Sequence, residues 1–145
     1  MIRLAPFELW HVQAYDPQPD EAHISQEERI VWARMQAACG PAWTVLDDAG
    51  GVVGLGGICD AWPGRGIGWC GLSKHAGRHM VPLTKLIRRV HDDLGYRRIE
   101  MYAEAGNPRA ERWAVLLGFH LETPEPMRGF LPDGKDAKLY AKVYT

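Results

Sequence analysis

Asn107-Pro108-Arg109-Ala110-Glu111-Arg112-Trp113-Ala114-Val115-Leu116-Leu117-Gly118-Phe119 is the stretch whose reading decides the fold. An Asn placed before a Pro is a start signal. Its side chain accepts from the first turn, and Pro is tolerated where the backbone N–H is unpaired in any case. The apolar run that follows is closed by Gly118, so the spacing predicts a helix from Arg109 to Leu117. Upstream, Arg98 to Ala103 reads as a strand, with Ile99, Met101 and Ala103 on one face and Glu100, Tyr102 and Glu104 on the other. Downstream, Phe119 to Thr123 and Ala137 to Tyr144 read as two further strands, the second following the turn Pro132-Asp133-Gly134-Lys135.

Working outward, Leu83, Leu86, Ile87, Val90 and Leu94 recur at helical spacing from Pro82 to Leu94, with Gly95 as the stop. The middle of the chain changes period. Trp43 to Leu46, Val52 to Asp60 and Ile67 to Ser73 read as a three-stranded meander, turned at Asp47–Gly51 and at Pro63-Gly64-Arg65-Gly66. Before it, Ile2 to Leu4 reads as a first strand and Pro6 to Tyr15 as a short helix. The prolines of Asp16–Asp20 force a loop, and the Ser25/Glu28 capping box opens a helix that Gly40-Pro41 ends. Hairpins followed by strand–helix–strand–helix units predict a single α/β domain over residues 1–145, with a mixed, mostly antiparallel sheet flanked by helices on both faces.

Composition narrows the function classes. Seventeen Lys and Arg against 18 Asp and Glu give a net charge of −1, which argues against nucleic-acid binding as the main activity. No apolar run reaches the ~20 residues of a membrane helix, and MIRLAPFELW lacks a signal-peptide pattern, so a cytoplasmic protein is expected. Three cysteines, without a CxxC pair or matched His spacing, predict neither a disulfide framework nor a zinc site; each reads as a buried small residue. His75 and His79 stand at i, i+4 with no third ligand, so no metal is expected. Arg88, Arg89, Arg97 and Arg98 read as a solvated basic patch. Of the six Trp, Trp113 reads as core, Trp69 as facing either core or a ligand groove with core favoured, and Trp62, in a turn, as available for recognition.

The element order and the Asn107, Ala110, Gly118 and Phe119 pattern resemble the GNAT superfamily of acyl-CoA N-acyltransferases. The segment from Gly40 to Val90, with Trp69, Ser73 and AGRHM leading into an apolar helix, is more closely similar to GNAT-like proteins of tailed phages and prophages, including relatives of a small internal virion protein of short-tailed phages. The resemblance implies a GNAT fold, acetyl-CoA as acyl donor, an amine acceptor (small molecule or protein), direct transfer and no metal. Virion proteins as partners, a homodimer and a location in the bacterial host cytoplasm or virion follow from the same likeness. The alternative it carries is a weakly active or inactive GNAT-fold protein with a structural role around the virion.

The family binds the cofactor pyrophosphate at a strand-to-helix loop, where unpaired N–H groups and the positive end of the helix dipole meet the anion. By resemblance that site comprises Leu72, Ser73, Lys74, Gly77, Arg78, His79 and Met80, with Asn107 facing the cofactor arm. Only Gly77 matches the family's glycine signature. His79 stands at the second small position, where its ring would crowd a phosphate approaching the backbone, so charge from Lys74, Arg78 or His79 is expected to replace a bare backbone nest. The bland reading is a solvated polar loop. The family's general-acid Tyr falls on Ala114 here. Tyr140 and Tyr102 are the replacements to weigh, each also readable as a packed aromatic, and Glu104 is the best-placed base, with Glu100 behind it.

Overall fold

Ser25 and Asn107 do what their positions predict, and they set the register of two helices. In a computed structural model describing residues 1–21 and 23–145, Ser25 accepts from the Glu28 N–H and opens α2 (Gln26–Ala37). Asn107 accepts from the Ala110 N–H at 3.2 Å and opens α4 (Pro108–Leu116), with Pro108 in the first turn. Each cap satisfies a donor that the helix cannot pair internally. Gly118 closes α4 at a φ of 96°, a left-handed conformation that a side chain resists.

The remaining elements are β1 (Ile2–Pro6), α1 (Trp10–Ala14), β2 (Ala42–Asp47), β3 (Val52–Trp62), β4 (Arg65–Leu72), α3 (Met80–Asp93), β5 (Arg98–Glu104), β6 (His120–Leu121) and β7 (Ala137–Val143). The strands form one seven-stranded sheet in the order β1-β2-β3-β4-β5-β7-β6. β1 with β2, β2 with β3, β5 with β7 and β6 with β7 pair antiparallel. β4 and β5 pair parallel, from Arg65↔Arg98 to Ile67↔Glu100. The expected mixed, mostly antiparallel α/β fold is therefore observed.

Several boundaries differ from expectation, each for a local reason. The first helix is shorter than Pro6–Tyr15 because Pro6 is drawn into β1 opposite Trp43. The second hairpin is tighter, with Gly64 taking a φ of 88° and β4 starting at Arg65. The strand expected over Phe119–Thr123 shrinks to His120–Leu121, since the Phe119 N–H is used in closing α4 on the Ala114 carbonyl.

The described residues group into two compact units. The first comprises Met1–Asp60 and Gly68–Leu83. Its core joins Val12 and Tyr15 of the α1 region and Ala33 of α2 to Leu46, Val52 and Leu55 of the sheet. Trp69 packs against this core edge-on to Trp32 and Phe7, at centroid distances of 5.3 and 6.1 Å. Gly57 permits a close approach: a Cβ there would meet the Pro41 carbonyl oxygen and lie 3.0 Å from Trp69 Nε1. His11, 2% exposed, uses Nδ1 for the Glu8 N–H at 3.0 Å and for the Thr44 hydroxyl at 2.7 Å, and its burial lowers its pKa.

The second unit comprises Ala61–Ile67 and Thr84–Thr145. Glu100, placed on the polar face of its strand by alternation, is 3% exposed. Arg65 clasps it with Nε and Nη2 at 2.7 and 2.8 Å, Arg98 adds a bond at 2.5 Å, and these partners hold its pKa down to about 2. Arg65 also covers the Trp62 ring at 4.3 Å, so the exposed Trp62 carries a cation on its face. Trp113 is half-buried, its Nε1 donating to Thr84 Oγ1 at 2.9 Å. The cysteines are corrected: Cys39 and Cys70 are exposed and Cys59 half-buried, because Cys39 lies in the turn after α2 and Cys70 on an uncovered position of β4. No described helix is long and apolar enough to cross a membrane.

Candidate functional site

β4 ends at Leu72, whose carbonyl accepts from the Gln18 N–H at 3.2 Å. The chain then turns on Ser73, which is 3% exposed. Its N–H donates to the Val53 carbonyl at 2.9 Å, and its hydroxyl accepts from the His75 N–H at 3.1 Å. The Lys74 N–H donates to the Asp16 carbonyl and the Ala76 N–H to the Ser73 carbonyl, at 2.8 and 3.0 Å. A short 3-10 turn, Ala76–His79, leads directly into α3, with the Met80 N–H donating to the Gly77 carbonyl. The donors of Lys74, His75 and Ala76 are thus committed within the loop. An anion would meet the side from Gly77 onward.

That side is cationic. Lys74, His75 and Arg78 are exposed and His79 half-buried, and Arg78 Nε donates to His79 Nε2 at 3.3 Å. Gly77 has nothing within 4 Å of where its Cβ would stand, so the backbone is open to an approaching group there. A cavity of about 160 Å³ adjoins the loop inside the first unit, walled by Ser73, His75, Arg78 and His79, by Tyr15 and Asp16, and by Asp47 and Val53 of the β2–β3 hairpin. Asp47 is the opposing charge. The Gly51 N–H does most to lower its pKa, with the charges of His79 and Arg78 adding to this. Lys74 reaches Asp16 at 3.7 Å on the open surface. Arg78 on the cavity wall and Lys74 on the surface beside it give the loop positive charge next to an accessible glycine, which fits an anionic group such as a pyrophosphate, with Asp47 as the opposing charge. The structure thus draws Ser73, Arg78 and His79 to one cavity wall. Leu72 and Met80 bracket the segment.

The other candidates belong to the second unit. Asn107 is the cap of α4. Glu104, at the end of β5, pairs with Lys135 at 3.2 Å. Tyr140 is 3% exposed and donates from its hydroxyl to Glu111 Oε1 at 3.2 Å. The same carboxylate accepts from Lys138 at 2.7 Å and from the Gly106 N–H at 3.0 Å. Burial first, then the charge of Glu111, raises the Tyr140 pKa, so its phenol keeps its proton near neutral pH. Glu111 was not anticipated from the sequence. Its only signal is a position in the first turn of α4, where a carboxylate reads as ordinary helix-dipole compensation. Ala114 is fully buried, so the position where the resemblance places a general-acid Tyr faces the interior. No group of three metal-ligating side chains occurs among the described residues.

No protein-family model and no curated protein matches the chain. Solved structures do. The chain is similar to a protein assigned as a phosphinothricin N-acetyltransferase, with a TM-score of 0.77 at 15% identity, covering 100% of this chain and 99% of that one. It is similar to a GNAT-family acetyltransferase from Bacillus anthracis, with a TM-score of 0.72 at 12% identity over 98% and 94% of the two chains. Mutant forms of the spermidine/spermine N-acetyltransferase of Vibrio cholerae align with a TM-score of 0.68 at 13% identity over 99% and 95%. At these identities the likeness establishes the fold: the chain has the fold of the GNAT acetyltransferases.

Proposed function

We propose that the chain is an acetyl-CoA-dependent N-acetyltransferase that passes an acetyl group directly to an amine. The observation that carries this reading is the β4–α3 connection, where an open Gly77 lies in a basic loop, with Arg78 and His79 on the adjoining cavity wall and Lys74 exposed beside it, on a GNAT fold. Acetyl-CoA, when bound, supplies an activated thioester and a thiolate leaving group.

The residues divide the work. Lys74, Arg78 and His79 hold the pyrophosphate through side-chain charge, with Leu72, Ser73, Gly77 and Met80 shaping the backbone around it. Asn107, beyond capping α4, contacts the cofactor arm. Glu104 takes the proton of the acceptor amine, for which it must exchange its Lys135 partner for substrate. Tyr140, kept protonated by burial and by Glu111, is the donor available to the departing sulfur. The acceptor is an amine, of a small molecule or a protein, in the bacterial cytoplasm.

Calorimetry with acetyl-CoA tests the reading directly. Micromolar to submillimolar binding that weakens about tenfold in a Lys74→Ala/Arg78→Ala variant is expected, from loss of two phosphate contacts. Absence of binding at millimolar cofactor would overturn it.

The buried Ala114 favours a second reading, a GNAT-fold protein of phage origin with a structural or interaction role around the virion. Cofactor binding without turnover of any amine, together with co-purification with virions, would select it.

A further inference from the structure

The cavity of about 160 Å³ beside the β4–α3 loop is lined by both signs of charge. Arg78 enters it from the loop, Asp47 from the β2–β3 hairpin and Asp16 from the segment after α1. A site for an anion alone has no use for the two carboxylates. Asp16 is met by Lys74 at 3.7 Å on the surface, which leaves Asp47 as the acid that faces a ligand. Asp47 uses Oδ1 for the Ala49 and Gly51 N–H groups, at 2.9 and 2.8 Å, and this holds the hairpin. Its Oδ2 has no hydrogen bond among the described residues. Arg78 uses Nε for His79 at 3.3 Å, and neither of its Nη groups finds an acceptor among the described residues. Ser73, 3% exposed, accepts from the His75 N–H and so keeps its own hydroxyl proton to donate. The rest of the lining is largely apolar, with Val53 and the ring of Tyr15 both buried.

We propose that this cavity binds a small zwitterionic α-amino acid, its carboxylate on the Arg78 guanidinium and its ammonium on Asp47 Oδ2. A simple anion entering here meets Asp47, and a simple amine meets Arg78, so either leaves one charge of the lining unmatched. A zwitterion satisfies both at once. The planar guanidinium takes a carboxylate through two parallel N–H groups, with the Ser73 hydroxyl as a further donor. The volume equals that of roughly five waters, which admits alanine or serine and excludes a nucleotide or a peptide. Val53 and Tyr15 then meet the short side chain. Because Arg78 also stands where the cofactor pyrophosphate is placed, the amino acid and acetyl-CoA compete for it, and a small metabolite thereby gains control over cofactor binding. The site itself does not depend on the acetyl-transfer reading.

Titration calorimetry of the full chain with L-alanine and L-serine, without cofactor, is the test. Saturable binding with a submillimolar to low-millimolar Kd is expected. Propionate, which lacks the ammonium, and ethylamine, which lacks the carboxylate, are expected to bind at least about tenfold more weakly, each having lost one charged contact. Asp47→Asn, which keeps an oxygen for the hairpin N–H groups, is expected to weaken L-alanine about tenfold, with circular dichroism verifying the fold. Where acetyl-CoA binds, saturating L-alanine raises its apparent Kd. Acetyl-CoA titrated alone reads the acetyl-transfer proposal separately. Absence of saturable binding of both amino acids, propionate or ethylamine binding as tightly as L-alanine, or an Asp47→Asn chain that holds L-alanine unchanged would overturn the proposal.

Discussion

Glu111 takes three donors at once: the Lys138 ammonium, the Tyr140 hydroxyl and the Gly106 N–H. Tyr140 therefore cannot donate elsewhere without leaving that carboxylate, which sets a measurable cost on its use as an acid. If Tyr140 protonates the departing sulfur, Tyr140→Phe lowers kcat about 10- to 100-fold with KM for acetyl-CoA unchanged, the pattern of an interaction made in the transition state. Steady-state kinetics with any accepted amine reads this. Asp47 provides a second test at this scale. Its carboxylate faces Arg78 and His79, so Asp47→Asn, which keeps an oxygen for the Ala49 and Gly51 N–H groups, is expected to tighten acetyl-CoA binding about two- to fivefold by releasing Arg78. Titration calorimetry at low salt checks it. Lys74, Arg78 and His79 were legible in the sequence as a basic loop. Their partners Asp16 and Asp47 were not, since chain folding alone brings positions so distant in sequence together.

At the scale of elements, the caps carry the most transparent energetics. Removing the Asn107 side chain in Asn107→Ala leaves the Ala110 N–H without its acceptor and is expected to cost about 1 kcal/mol, read as a lower urea midpoint. The β4–β5 junction is costlier. Glu100→Gln leaves Arg65 and Arg98 facing a neutral group in a buried setting, and a loss of about 3 kcal/mol is expected from chemical denaturation. Strand alternation placed Glu100 on the polar face, and alternation is a sound rule for a strand with one wet side. It fails here because Arg65 of β4 and Arg98 of β5 enclose the carboxylate, and a fully paired charge can be buried. The helix starts at Ser25 and Asn107 were readable because capping is local. The shortening of α1 was not, because Pro6 is captured by pairing with Trp43 of β2.

Across the whole molecule, acid should destabilise the fold in two stages. His91, 6% exposed, accepts from Lys142 at 3.2 Å; its burial, then the Lys142 charge, lowers its pKa to about 3. His11 is lowered by burial as well. The unfolded chain, whose histidines titrate near 6.5, binds more protons than the folded chain below that pH. Stability is therefore full above 6.5 and falls as pH drops toward 3, by up to about 1.4 kcal/mol per unit from His91, with His11 acting in the same direction. Glu100, depressed from 4.5 to about 2, adds a second loss as pH falls through that lower window. Urea midpoints from pH 8 to pH 3 measure the slope, and His91→Gln, which keeps an acceptor for Lys142, is expected to flatten its upper part.

By itself the sequence determined the element order and the α/β class, because capping boxes, Gly stops, hairpin turns and residue periodicity act within a few residues of one another. It also marked the β4–α3 loop as the place where cations gather. Only the tertiary structure decided which groups those cations face and which carboxylate holds Tyr140. Those relations join residues far apart in the chain, and the physical reason they escape a linear reading is that pairing across a sheet is fixed by packing and register, which no local pattern encodes.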